Sequence, residues 1–201
     1  MDRTSRLFDT SAGVRTAAAV AAGALFIALT SQLRLPLGFT PVPVTLQVFG
    51  VLAAGLALGP GRGAASAALY LALATAGAPF WAGGQGGAAY FLGSSGPVVA
   101  PTLGYLLAFP LAAFVTGWLS QRAGRGQALG AVAAALAGAA VIHAGGLAWI
   151  WAQFAPAAGV WAGLGLSLAQ GSLPFVLADV AKAMAAAALV FPYRGAFSAG
   201  R

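Results

Sequence analysis

The chain has 201 residues, 60% of them hydrophobic and only 6% charged, with a mean hydropathy of +0.89. That much apolar surface excludes a water-soluble domain and points to an integral membrane protein, while the lack of cysteine excludes disulfides, iron–sulfur clusters and thiolate metal sites. The net charge of +7 is read as loop arginines that orient the chain, not as a nucleic-acid surface, and no cofactor or metal is expected.

A spanning helix needs roughly 20 apolar residues, which leaves room for about six crossings and no soluble domain. The fold class is therefore all-α and polytopic: one transmembrane domain over 1–201, with short tails at 1–13 and 192–201. The first helix is predicted at 14–33, closed by the proline-rich "LPLGFTPVPV". Its basic start resembles a signal peptide, but the run is too long and no small-residue cleavage site follows, so it is read as retained. The second, at 44–59, ends in "GPGRG", and the third, at 63–77, in "GAPFWAGGQGG". The fourth, at 98–120, follows "SSGP"; the fifth, at 127–151, stops before Pro156. Residues 157–170 are apolar but too short to cross, so they are expected as a half-buried or re-entrant segment against the bundle. The sixth helix, at 172–191, ends at Pro192.

The arginines bear on this layout. Arg3, Arg6, Arg15, Arg62, Arg122, Arg125, Arg194 and Arg201 all fall on one side if there are six crossings, and Arg34 alone falls on the other. The asymmetry predicts both termini in the cytoplasm, whereas five crossings would split the charges. The long connections 34–43, 78–97 and 152–171 then lie outside and carry Trp81 and Trp161. Two readings stand for them: an interfacial aromatic belt with loose loops, or a lid over a site that opens outward.

Within the apolar runs a few residues carry chemistry. In "SLPFVLADVAKAMAAAALVF", Asp179 and Lys182 are three apart and share a helix face, roughly 10–15 Å below the outer end of the predicted helix. A charge facing lipid costs about 2.5–3.5 kcal/mol on insertion scales, so both must face the bundle interior. They form either an ion pair that closes the bundle or a site for a polar solute. Since buried pairs stabilise poorly compared with apolar packing, the solute is favoured. Gln47 is read as a helix-to-helix hydrogen bond or a second polar contact in the outer half. Arg34 either snorkels to a lipid phosphate or draws in an anion. His143 is expected to be a lone polar residue bonded to a neighbouring helix.

Two rivals come from other classes. "GSSG" at 93–96 satisfies the G-x-S-G pattern of rhomboid proteases, with Ser95 and His143 as the dyad; Ser95 falls in a predicted loop, and the pair Asp179 and Lys182 stays unexplained. The other is an ion-coupled carrier with Asp179 and Lys182 as a proton relay. The chain holds no GxxxxGK[ST], so energy must come from a partner or an ion gradient.

Three stretches in order, "TPVPVTLQVFGVLAAGLALGPGRGAASAALYLALATAGAPFWAGGQGG", "PTLGYLLAFPLAA" and "LPFVLADVAKAMAAA", resemble the BioY family, the biotin-binding S components of energy-coupling factor transporters. The resemblance spans about residues 34–190. It implies six helices in the cytoplasmic membrane of a bacterial-type cell, a vitamin site near the outer face, and capping loops after the first and third helices. It also implies a transmembrane coupling protein and a pair of ABC-type ATPases as partners, and no enzymatic activity. On this reading Asp179 accepts from the ureido N–H groups of biotin, and Lys182 donates to the ligand and balances the aspartate. Arg34 or a backbone N–H of the glycine loop, at Gly84, receives the tail carboxylate; Gln47 and Tyr105 complete the expected contacts. The family's G-P-T-G-G-Y run reads "APTLGY" here, with Leu103 for a glycine and an apparent insertion "SSGPVVA" before it, so contacts from Thr102 to Tyr105 stay open. Small residues of the first helix, Ala18 and Ala22 or Ala17 and Ala21, match the family's docking face for the coupling protein. A different vitamin, self-association into a homo-oligomer and contact with specific lipid stay open.

Overall fold

The computed structural model describes residues 10–91, 100–123 and 127–193. The chain is almost wholly helical: α1 (Thr10–Ser31), α2 (Gln47–Thr75), α3 (Leu103–Arg122), α4 (Ala128–Ala158), a short α5 (Val160–Ser167) continued by a π-turn (Leu168–Ser172), and α6 (Val176–Val190). Among the described residues five helices are long and apolar enough to cross a membrane, with α2 counted once.

α2 is in fact two rods. Gly59 has φ 80° and ψ −179°, a conformation open essentially to glycine alone. Pro60 follows at the first position of the returning arm, where a missing N–H is harmless. The result is a hairpin. Gln47 Nε2 lies 2.7 Å from the Tyr70 hydroxyl, whereas a straight helix would separate these residues by roughly 34 Å. The arms, 47–58 and 60–75, correspond to the second and third predicted helices. With α1, α3, α4 and α6 they make six rods. "GPGRG" was expected as a loop, but the reversal needs only Gly59, and helix resumes at once.

A second reversal sits at Gly159 (φ 83°, ψ 164°), which turns α5 back along the end of α4. A Cβ on Gly163 would stand 2.9 Å from Ala155 Cα. The segment expected to be half-buried is so: Gly163 and Ser167 are buried, while Trp161 is 83% exposed. α4 runs through Pro156 instead of stopping before it; the proline removes one late hydrogen bond, and the left-handed glycine ends the helix. α6 starts at Val176, not 172, because the chain first winds through the π-turn and a turn at Pro174.

The proline-rich connection after α1 is not wholly irregular. β1 (Arg34–Leu35) and β2 (Val44–Thr45) pair antiparallel, Arg34 opposite Thr45 and Leu35 opposite Val44. The core is built from small residues, Ala112, Ala113, Ala135 and Ala183, around Leu52, Phe109 and Ile142. In lipid, helices are held by close packing, and small residues permit it. A Cβ on Gly55 would come within 2.5 Å of the Ala113 carbonyl oxygen, and one on Gly104 within 2.4 Å of that of Gly145, so α3 touches both α2 and α4 at backbone distance. The outer surface carries exposed leucines such as Leu29, Leu107, Leu111 and Leu177, as a lipid-facing surface should.

Candidate functional site

Because α6 begins at Val176, Asp179 falls in its first turn, closer to the helix end than the expected 10–15 Å, where the positive end of the helix dipole favours a carboxylate. Asp179 is only 6% exposed. Lys182 Nζ lies 2.6 Å from its Oδ1, so the two share a helix face as their spacing predicts. The second oxygen is also engaged: His143 Nε2, from α4, lies 3.0 Å from Oδ2. His143 Nδ1 in turn lies 3.0 Å from Ser172 Oγ in the π-turn. At Nδ1 the serine hydroxyl donates or accepts according to the tautomer, and Nε2 stands at contact distance from Oδ2 without the angle of an aligned hydrogen bond. The charges of Asp179 and Lys182 cancel.

This cluster opens on a small cavity of about 50 Å³. Gln47, Tyr105, Asp179 and Lys182 supply its polar side, and Phe109, Ile142 and Phe175 form apolar walls. Tyr105 sits in the first turn of α3, within the predicted fourth helix, and its hydroxyl donates to the Gly171 carbonyl of the π-turn. Thr40, from the connection after α1, donates to the Gln170 carbonyl at 2.6 Å. Gln47 does both things its position suggests: it lines the cavity, and its Nε2 donates to the Tyr70 hydroxyl across the α2 hairpin.

A wider cleft of about 450 Å³ adjoins the cavity and shares Pro43 and Thr102 with it. Arg34, Gln85, Tyr90 and Phe91 line it. Arg34 is exposed and reaches the Ala82 carbonyl at 3.5 Å. Burial pushes the Tyr90 phenol above its ordinary pKa, and the Arg34 guanidinium partly offsets this, so the phenol is a neutral donor beside a cation. The glycine-rich segment 77–87 is anchored rather than loose. Trp81 is buried, its indole N–H donates to the Gly87 carbonyl at 3.0 Å, and its ring packs against those of Tyr70, Tyr90 and Phe91. The Tyr70 hydroxyl and Ser31 Oγ both donate to the Phe80 carbonyl, at 3.2 and 2.6 Å. Trp81 therefore anchors this segment to the bundle and is no part of an interfacial belt, whereas exposed Trp161 suits one. Gly84 (φ 75°) sits on the exposed turn of this segment and is not among the residues lining either space.

Of the residues picked from sequence, Asp179, Lys182, Gln47 and Tyr105 meet at one cavity, Arg34 stands above it, and Gly84 lies apart. Ser95 lies outside the described residues, and His143 is committed to Asp179 and Ser172. His143 as a partner of Asp179, Ser172 and Tyr90 were missed. The available signal was that His143 is the sole histidine, set in an apolar helix, where an ionisable residue is a functional candidate by default.

The sequence matches the BioY family over residues 3–199. A probable biotin transporter BioY of Pyrococcus horikoshii is 40% identical over 167 residues, 81% of this chain and 88% of that protein. The biotin transporter BioY of Rhizobium etli is 37% identical over 174 residues, 83% of this chain and 85% of that protein. Among solved structures, the S-component for biotin from an ECF-type ABC transporter superposes with a TM-score of 0.72 at 29% identity, covering 97% of this chain and 95% of the other. The six rods and the extent of these matches agree: the chain belongs to the BioY family.

Proposed function

We propose that this protein captures biotin at the outer face of the cytoplasmic membrane and carries it inward as the S component of an energy-coupling factor transporter. Both termini lie in the cytoplasm, and a transmembrane coupling protein with two ABC-type ATPases supplies the energy. The observation that carries the reading is the Asp179–Lys182 pair, buried yet facing a cavity rather than sealed in packing. The ureido ring of biotin has two N–H donors and a carbonyl. Asp179 is an acceptor for the donors, and Lys182 and the Gln47 amide are donors for the carbonyl. Phe109, Ile142 and Phe175 give the fused rings apolar walls. The tail runs into the wider cleft, where Arg34 and the Tyr90 hydroxyl meet its carboxylate. The inner cavity is narrow, so the side chains over it give way as the ring enters.

The relatives and the solved S-component named above support biotin over other vitamins. Equilibrium titration of the purified protein with biotin, thiamine and riboflavin tests this. Binding of biotin alone is expected; binding of another vitamin without biotin would overturn the assignment.

A further inference from the structure

Lys182 alone does not set the orientation of Asp179. The terminal torsion of an aspartate is broad, so a carboxylate held at one oxygen swings about its Cβ–Cγ bond. Here the second oxygen faces His143 Nε2 at 3.0 Å, from a different helix, and the imidazole is itself held by Ser172 at 3.0 Å. The π-turn that carries Ser172 is pinned from two further sides, by the Tyr105 hydroxyl on Gly171 and by Thr40 on Gln170. A carboxylate offers about four lone-pair positions; Lys182 takes one on Oδ1, and His143 Nε2 stands at 3.0 Å from Oδ2 without the angle of an aligned hydrogen bond, so that a small turn of the ring would complete it. One position per oxygen is left for an incoming N–H.

We propose that His143 is a positioning residue of the vitamin site: its Nε2–H fixes the plane of the Asp179 carboxylate, and Ser172, by donating to Nδ1, fixes the tautomer that makes this possible. The proposal rests on the biotin reading above. In this tautomer the imidazole would add a donor to the Asp179–Lys182 pair without adding a charge. The opposite tautomer would aim a lone pair at the carboxylate and release it. His143 does not line the cavity, so its effect on the ligand passes through Asp179.

The test uses the full chain in detergent. As this is the sole histidine, ¹⁵N-histidine labelling yields one imidazole to follow. The spectrum is expected to show the neutral Nε2–H tautomer and to shift when biotin is added. By titration calorimetry, His143→Leu is expected to weaken biotin about tenfold or more, the loss of a hydrogen bond to a charged group. His143→Gln, whose amide N–H reaches the same carboxylate, should stay within about threefold of the native protein by the same scale. A general packing role would not produce that rescue. An Nδ1–H tautomer, a spectrum indifferent to saturating biotin, or a His143→Leu variant that binds as the native protein does would each overturn the proposal. The first two need no variant, so misfolding cannot mask them. Failure of the native protein to bind biotin at all is a separate result that overturns the biotin reading and this proposal with it.

Discussion

Asp179 meets a lysine from its own helix and a histidine from another, and the two differ in how visible they are along the chain. Lys182 is visible from spacing alone, because three residues along a helix is one face. His143 is not: it lies on α4, and only the packing of α4 against α6 says which of many facing positions meets Asp179. Gln47 shows a different limit. Its two readings, helix bond and cavity wall, are not exclusive, because an amide has donors and acceptors enough for both. Tyr105 was legible as a helical residue, inside the predicted helix 98–120, but its bond to the π-turn was not, since that depends on how the turn packs against α3. At this scale Tyr70→Phe is informative. It removes the hydroxyl that accepts from Gln47 and donates to Phe80, and leaves a buried amide short of a partner. A loss of about 1–3 kcal/mol is expected, read as a lower melting temperature in detergent, with weaker biotin binding because the lid loses one tie.

Among elements, glycine and proline punctuation located most of the rods, and the misses have physical causes. Pro156 was given too much weight, since α4 passes it. The two actual reversals are at Gly59 and Gly159, where φ is 80° and 83°. The strands β1 and β2 were not anticipated, since two-residue strands between prolines have no alternation to read. The α2 hairpin places Gln47 and the Tyr70–Phe80 tie at the same end, so the site depends on Gly59 at the opposite end. Gly59→Ala forces a side chain into a conformation that costs about 1–3 kcal/mol. Thermal unfolding should show the loss directly. Gly61→Ala, two residues on and in open space, should leave stability within about 0.5 kcal/mol of the native protein or slightly raise it.

For the whole molecule, the six rods among the described residues match the even number of crossings on which the arginine reading relied, and Arg34 stands beside the cleft. The face of α1 that holds Ala17, Ala18, Ala21 and Ala22 is exposed. Ala22, with Ala19, Gly23, Leu189 and Tyr193, borders an apolar groove of about 470 Å³. The proposed biotin site and the α1 face that resembles the family's docking face are thus different surfaces. Replacing Ala18 and Ala22 with leucine should abolish co-purification with the coupling protein and leave biotin affinity unchanged; normal assembly would remove α1 as the docking face. The central claim, that the buried ion pair persists because a polar vitamin completes its solvation, is tested most directly by biotin titration of Asp179→Asn and Lys182→Ala beside the native chain. Each is expected to raise the dissociation constant about 10- to 100-fold, the loss of a charge-assisted hydrogen bond plus an unpaired charge left behind. Native affinity in both variants would contradict the account.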